Sequence, residues 1–329
     1  MAAQLSSKTS VYAALVGNVL VAIIKAIAAA WTGSSAMLSE AIHSFVDTGN
    51  EVLLLYGMHR STRPPDLAHP LGHGRELYFW SFMVALLIFA LGAAVSIYQG
   101  VVRVLRPEPI NDPLVSYVVL AFAFVFEGGS WIVALRQFRS AKRGLGYYQA
   151  LRRSKDPPSF MVLIEDSAAL LGIAFAALGT FAASALGQPV FDGIASILIG
   201  SVLGVTSLLL ARESKSLLIG ERADHRLAES ILRIAADDKA VASANGVLTI
   251  HLAPKQIVAA LSLHFVDTLR GPDIEAAVVG IERKLRKAHP EVVTLFVKPE
   301  SNPIFRESLR RRFGTEPSVA ELRDDGSAE

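Results

Sequence analysis

The chain has 329 residues, of which 52% are hydrophobic and 19% charged, and its mean hydropathy is +0.41. Soluble domains carry about a quarter charged residues, so this composition predicts a membrane part joined to a soluble part, with no nucleic-acid partner. The net charge of +2 selects no class of ligand. The chain has no cysteine, which excludes disulfides and thiolate metal sites, so a transition-metal site must use His, Asp, Glu or water.

Six apolar runs are long enough to cross a bilayer, for which about 20 mostly apolar residues are needed. They lie at residues 11–31, 36–58, 78–102, 114–135, 160–186 and 190–210. The first run follows the segment MAAQLSSKTS and lacks a small-residue cleavage motif, so we interpret it as a retained helix and not a signal peptide. The sequence therefore predicts a polytopic α-helical membrane protein with six transmembrane helices.

The basic residues fall unevenly in the loops between these runs. The second and fourth loops are rich in Arg and Lys, the third holds two arginines, and the first and fifth have none. Because Lys and Arg accumulate on the cytoplasmic side of short loops, we expect both termini to face the cytoplasm.

A soluble domain is expected after the sixth run. Asp224 can cap a helix, residues 246–252 and 257–266 alternate in the manner of strands, a second helix opens at Pro272, and residues 292–298 form a last strand. This order favours a small cytoplasmic α+β domain of ferredoxin-like type. The predicted parts are an N-terminal cytoplasmic segment, a six-helix membrane domain, the α+β domain and a flexible tail, at residues 1–10, 11–211, 212–300 and 301–329.

The second run contains a stripe of ionisable side chains, formed by Glu40, His43, Asp47 and Glu51. Their spacing of three or four residues places them on one face of a helix. An ionisable residue inside a membrane span costs at least about 2.5 kcal/mol and by default marks an ion pathway. We therefore expect this face to line the path of a cation or a proton.

The partner of this stripe is expected in the fifth run, where Glu165 and Asp166 are flanked by apolar residues. Unpaired ionised carboxylates are unstable in such surroundings. If the second and fifth helices meet, His43, Asp47 and Asp166 converge into a set that suits zinc and tolerates manganese, cobalt, ferrous iron or cadmium. These ligands must be deprotonated to bind, so inward protons can drive outward metal.

The chain resembles the cation diffusion facilitators from about residue 10 to residue 299. The resemblance rests on HSFVD in the second run, PDLAHPLGHGRE in the second loop, the acidic fifth run, six predicted helices and the C-terminal α/β domain. In that family a pair in the second span and a pair four residues apart in the fifth form the transport site. The resemblance therefore implies His43 and Asp47 as the first pair.

The fifth span departs from the family pattern. Asp166 takes the last position of the fifth-span pair, as judged by Gly172 six residues later, whereas the earlier position falls on Val162, which cannot bind a metal. SEAIHS, LIEDSAALLG and Glu127 in FVFEGGS resemble the branch that includes the mammalian zinc transporter nine, which implies exchange of zinc for protons. Glu165 or a water is the candidate substitute for the missing ligand, and Glu127 is a candidate proton carrier.

The second loop contains Asp66, His69 and His73 at spacings of three and four. Matching positions in the family bind a second metal near the cytoplasmic mouth, which implies a capture site here. The alternative is a glycine turn in which His73 and Arg75 contact lipid phosphates and no metal binds.

Three further polar residues have structural interpretations. In the first span, Asn18 is interpreted as a helix-packing amide and Lys25 as a lysine that snorkels to the membrane surface. Asp192 is interpreted as a cap of the sixth helix.

We therefore expect a homodimeric secondary active transporter, not an enzyme, that moves a divalent metal outward in exchange for protons. Its cargo is zinc or one of the other metals above, its C-terminal domains pair in the cytoplasm, membrane lipid surrounds it, and no resident cofactor is expected. Lack of an Arg-rich, transit-like N-terminus favours a bacterial inner membrane. The main alternative is a non-transporting scaffold or regulator that has lost the ligand at Val162. A membrane metalloenzyme is disfavoured because no HExxH motif is present.

Overall fold

The chain divides into two structural units. The computed structural model describes residues 18–141, 146–147, 150 and 154–314. Met1–Thr62 and Glu76–Lys215 group into the first unit, and Arg63–Arg75 and Ser216–Glu329 into the second. Long helices form the first unit, and the bounds of α1 to α6 are Asn18–Thr32, Ser35–Ser61, Glu76–Leu105, Pro113–Ala141, Pro157–Ala185 and Val190–Ile219.

Four of these helices, α3 to α6, are long and apolar enough to cross a membrane. Helix α1 is described only from Asn18, because residues 11–17 of its predicted span, like the predicted segment 1–10, lie outside the described residues. Helix α2 has 27 residues but is less apolar than the four, since it carries the ionisable stripe. The four helices confirm a polytopic membrane protein.

Small residues bring α3 and α6 into close contact. A Cβ atom added to Gly100 would lie 2.7 Å from the carbonyl oxygen of Gly193, and one added to Gly200 would lie 2.9 Å from that of Ala93. Ala93 ends a π-helical turn, Ile88–Ala93, within α3. Glycine at such crossings lets two backbones approach closely, which drives helix association in membranes.

Helix α6 caps α2 through Asp192. The buried carboxylate accepts hydrogen bonds from the backbone N–H of Ser35 at 2.6 Å and from the hydroxyl groups of Ser34 and Ser35. The free N–H groups and the positive dipole end of α2 favour a carboxylate at this position. The sequence had suggested that Asp192 caps the sixth helix, whereas its side chain serves the second.

The second unit contains a three-stranded sheet. Helix α7 (His225–Ala236) precedes β1 (Val241–Ala253) and β2 (Gln256–Phe265), and α8 (Gly271–Ala288) leads to β3 (Val292–Pro299). The sheet order is β1-β2-β3, with β1 and β2 antiparallel and β2 and β3 parallel. A parallel pair needs a crossover connection, which α8 supplies. The order of helix, strand, strand, helix, strand confirms the predicted small α/β domain.

The core of this domain lies around the central strand. Ala259, Leu261 and Leu263 of β2 are fully buried, and Ile231 of α7 and Ile281 of α8 belong to the same cluster. Each buried Leu or Ile contributes about 1.5–3 kcal/mol. The hydrophobic periodicity of the sequence therefore corresponds to the faces of these strands and helices that are buried in the core.

The segment predicted as a flexible tail begins with a helix. Helix α9 spans Asn302–Phe313 and ends at Gly314, whose φ of 76° is suited to glycine. Phe305 of α9 packs against Gly246 of β1, where any side chain would overlap its ring. Residues 315–329 lie outside the described residues. A helix that contacts β1, far away in sequence, thus begins a charged segment whose composition alone favoured flexibility.

The loop between α2 and α3 lies against the β1–β2 turn of the second unit. A Cβ atom added to Gly74 would lie 2.9 Å from the carbonyl oxygen of Leu252 and 3.0 Å from Ala253 Cβ. One added to Gly220 would lie 3.3 Å from Arg75 Nη2. The loop therefore packs with the C-terminal domain.

Candidate metal centre

His43 and Asp47 form a candidate ligand pair on α2. One helical turn separates them, and His43 Nδ1 lies 3.3 Å from Asp47 Oδ1. Neither ring nitrogen of His43 nor Asp47 Oδ1 has a hydrogen-bond partner among the described residues, although all three atoms are buried. Buried polar atoms are normally paired. These atoms are therefore available to a cation or to a proton.

Helix α5 contacts this part of α2 through Asn50. Asn50 Nδ2 donates a hydrogen bond to Glu165 Oε1 at 3.3 Å, and both side chains are buried. Asp47 also interacts electrostatically with Glu165 and Asp166. The second and fifth helices thus meet as the sequence predicts, and their acidic residues face a common region.

Asp166 is held toward α4. Ser130 Oγ donates a hydrogen bond to Asp166 Oδ2 at 2.9 Å. Within the described residues, the ligand atoms of no three of the four predicted transport-site residues lie within 4.8 Å of one another. The structure brings His43 and Asp47 together and places Glu165 and Asp166 on the adjacent helix, without closing a coordination sphere.

Lys25 is buried beside Glu40 and Glu127. Its Nζ donates hydrogen bonds to Ser44 Oγ at 2.8 Å, Glu40 Oε2 at 3.1 Å and Glu127 Oε1 at 3.5 Å. The lysine side chain is 0% exposed, so the interpretation of Lys25 as snorkelling is wrong. Carboxylates inside the bundle neutralise the ammonium, which removes the need to reach the membrane surface.

Asn18 joins α1 to α2, since its Nδ2 donates to Glu51 Oε2 at 3.0 Å. This contact agrees with the expected role of Asn18 as a helix-packing amide. Of the four ionisable residues of the α2 stripe, Glu40 and Glu51 are thus paired with α1. His43 and Asp47 are left for another role.

The loop residues Asp66, His69 and His73 converge in the second unit. Asp66 Oδ1 lies 3.2 Å from His69 Nδ1, and Asp66 Oδ2 lies 3.1 Å from His73 Nε2. One ligand atom of each residue lies within 4.8 Å of the other two. The backbone N–H of His69 and the ring of His73 donate to Asp66, and these hydrogen bonds lower the pKa of its carboxyl group to about 2. An ionised carboxylate and two imidazoles form a set that can bind a transition metal.

Asn50 and Gly172 were missed as functional candidates from the sequence. Asn50 follows Asp47 by three residues on the same helix face, which was an available signal. In the sequence analysis Gly172 was used only to align the fifth span with the family pattern. A Cβ atom at this position would overlap Glu40 Oε1, so the glycine also permits the approach of α5 to α2.

The apolar helices define a membrane protein that buries metal-ligand atoms without partners among the described residues. The sequence matches the family described as the cation efflux transmembrane domain over residues 11–219. The chain belongs to this family, which confirms the resemblance.

Several curated relatives are similar to this chain. A frog protein named as the mitochondrial proton-coupled zinc antiporter SLC30A9 (Xenopus laevis) is 36% identical over 68% of this chain and 40% of its own length. Metal tolerance protein C4 of Arabidopsis thaliana is 34% identical over 65% of this chain and 47% of its own length. The cation-efflux pump FieF of Escherichia fergusonii is 23% identical over 93% of this chain and 97% of its own. The chain therefore spans less than half the length of the eukaryotic relatives.

Proposed function

We propose that this protein exports a divalent transition metal, zinc above all, in exchange for protons. The observation that carries the proposal is the buried pair on α2, in which both nitrogens of His43 and one oxygen of Asp47 lack partners among the described residues. The frog relative is named as a proton-coupled zinc antiporter, which supports zinc and protons as the exchanged ions. Manganese, ferrous iron, cobalt and cadmium fit the same ligand types.

In this proposal the metal is bound from two helices. His43 and Asp47 bind it from α2 and Asp166 binds it from α5, while Glu165 takes the place of the ligand absent at Val162. The hydrogen bond from Asn50 holds Glu165 at the contact between these helices. A small movement of α5 toward α2 is required to complete the coordination, as expected for alternating access around a midplane site.

Proton exchange follows from the chemistry of these ligands. Carboxylates and imidazoles must lose protons to bind the metal, so each binding event releases protons. Glu127 is proposed as an additional proton carrier because it lies on α4 at the edge of the buried charges, with its side chain 15% exposed. Replacement of Glu127 by alanine is then expected to weaken the coupling of flux to the pH gradient, and unchanged coupling removes it from the mechanism.

The proposed assembly is a homodimer with six spans per chain. Both termini face the cytoplasm, residues 11–211 form the transport domain, and residues 212–300 pair two copies. A second metal is bound at the cytoplasmic mouth by the loop residues Asp66, His69 and His73, whose ligand atoms already converge. A bacterial inner membrane is the proposed location; of the relatives, the Escherichia protein is bacterial and the frog protein is named as mitochondrial.

Reconstituted flux tests the proposal directly. Purified protein in liposomes with an imposed pH gradient is expected to move zinc, with manganese, iron and cadmium compared in parallel. Asp47→Ala and Asp166→Ala are expected to abolish this flux, whereas Asp267→Ala serves as a matched control because the side chain of Asp267 is 93% exposed in the C-terminal domain. If correctly inserted wild-type protein moves no metal, the scaffold or regulator function is favoured, with Val162 as its explanation.

A further inference from the structure

The ammonium of Lys25 is surrounded by oxygen atoms from two other helices. Ser44 and Glu40 of α2 contact it at 2.8 and 3.1 Å, and Glu127 of α4 contacts it at 3.5 Å. Lys25 itself belongs to α1, so three helices meet at one buried cation. Hereafter the oxygen cluster formed by Glu40, Ser44 and Glu127 is called the oxygen cradle.

The oxygen atoms of the oxygen cradle lie at hydrogen-bonding distances from the ammonium nitrogen and not at metal-binding distances. Zinc binds carboxylate oxygens at about 2.0–2.2 Å and calcium binds oxygens at about 2.3–2.6 Å, both shorter than the distances around Lys25. The oxygen cradle also offers no nitrogen ligand. An ammonium group matches it because it donates three hydrogen bonds.

A second observation indicates a binding site and not a simple ion pair. Glu40 is fully buried, and its other carboxylate oxygen, Oε1, has no hydrogen-bond partner among the described residues. Helix α5 presents Gly172 to this oxygen, and any Cβ atom there would overlap it. Glu40 thus keeps one buried carboxylate oxygen without a partner among the described residues, on the same carboxyl group whose other oxygen contacts Lys25.

We propose that Glu40, Ser44 and Glu127 form an all-oxygen site for one monovalent cation and that the Lys25 ammonium is its tethered occupant. Two carboxyl groups and one hydroxyl group face the ammonium, so the site keeps its oxygen ligands for a cation when the lysine is removed. With Lys25 in place, an ion entering the bundle is kept from Glu40 and meets the unpartnered atoms of His43 and Asp47 instead. The site is thus separate from the pair proposed to bind the metal.

Chemical rescue tests this inference. Lys25→Ala removes the ammonium with three carbons of its tether, which n-propylammonium can replace. Unfolding of the purified full-length chain in detergent is measured against n-propylammonium chloride, with choline chloride at equal ionic strength as the comparison, since choline has no N–H donors. Lys215→Ala, at an exposed position on α6, is the matched control for loss of a lysine.

The expected result is a lowered unfolding midpoint for Lys25→Ala, by about 5–10 °C for an unpaired buried charge in a chain of this size. This loss should be recovered saturably in n-propylammonium and not in choline. The double variant Lys25→Ala/Glu40→Gln should lose the amine response, and neither wild type nor Lys215→Ala should show one. A Lys25→Ala response equal in the two salts, or unchanged by Glu40→Gln, contradicts the proposal.

The rescue experiment still tests the proposal if Lys25→Ala fails to fold. If Lys25→Ala cannot be purified in plain buffer, recovery in n-propylammonium but not in choline supports the site, and failure in both contradicts it. The readout is protein unfolding and not metal flux. Absence of transport would therefore not affect this inference, and absence of amine binding would leave the proposed exchange standing.

Discussion

Asn50 of α2 donates a hydrogen bond to Glu165 of α5, next to the unpartnered pair of His43 and Asp47. Both Asn50 and Glu165 are buried, so the amide is a specific partner for a carboxylate that would otherwise be unsatisfied. This contact places an acidic group of α5 beside the candidate site, where the usual fifth-span ligand position is Val162.

Loss of this hydrogen bond should impair both folding and transport. Asn50→Leu keeps the size of the side chain but leaves Glu165 without its donor, which costs about 1–3 kcal/mol for a buried polar group. We expect a lower unfolding midpoint and at least a severalfold lower zinc flux in liposomes. Asn18→Leu removes a comparable amide contact, that with Glu51, and should spare flux more; equal losses in the two variants would argue against a role for Asn50 at the metal site.

Gly172 should tolerate no side chain. Gly172→Ala places a methyl group on Glu40 Oε1 and forces α5 away from α2 or displaces the carboxylate. Overpacking of this kind costs about 1–3 kcal/mol. Thermal unfolding of the purified protein measures the effect. Gly129→Ala in α4 is the matched control, because open space surrounds that position and alanine is favoured over glycine in a helix by about 1 kcal/mol.

The crossing of α3 and α6 predicts opposite effects for two glycines on one helix. In Gly200→Ala the new Cβ atom would lie 2.7 Å from Ile97 Cγ1 and 2.9 Å from the carbonyl oxygen of Ala93. In Gly204→Ala it would lie 3.7 Å from Ala93 Cβ, an ordinary contact. We expect Gly200→Ala to lower the unfolding midpoint and Gly204→Ala to leave it unchanged or raise it. The same shift in both variants would mean that the close crossing does not stabilise the bundle.

The loop residues should bind one zinc ion per chain, with Asp66 as an ionised ligand. The pKa of Asp66 is lowered from its unfolded value of 3.8 to about 2. The folded loop therefore keeps this carboxyl group ionised until the pH falls toward 2. Protonation of Asp66 therefore does not compete with metal binding at neutral pH.

Equilibrium dialysis against zinc measures this site. Asp66→Asn should lower the affinity of the loop for zinc at neutral pH, and His73→Ala should abolish zinc binding there. His264→Ala, which alters an imidazole on β2 paired with Asp267, is the control and should leave the stoichiometry unchanged. If Asp66→Asn and His73→Ala also leave it unchanged, the loop is a turn that binds no metal.

Local patterns predicted most of the secondary structure and part of the site. Asp224 caps α7 as expected, because an N-cap is decided by the residues that follow it. His43 and Asp47 lie together because a spacing of four residues fixes their distance on a helix, and their role as metal ligands stays a prediction. Asp66, His69 and His73 were grouped by the same kind of short-range spacing.

The misses all depend on contacts between distant parts of the chain. Lys25 looked like a lysine of the membrane surface because the sequence does not show that Glu127, 102 residues away, neutralises it. Asp192 accepts a hydrogen bond from Ser35, 157 residues earlier, so its position at the start of the sixth helix wrongly suggested that it caps that helix. Helix α9 depends on the fit of Phe305 against Gly246, which composition cannot reveal.

The packing of the second loop on the β1–β2 turn matters for any attempt to express the C-terminal domain by itself. A fragment cut at Arg212 would omit Arg63–Arg75, which groups with that domain. Gly74 would then no longer cover Leu252 and Ala253, and the bared turn would be open to other chains. The structural unit that contains the C-terminal domain is therefore discontinuous in sequence.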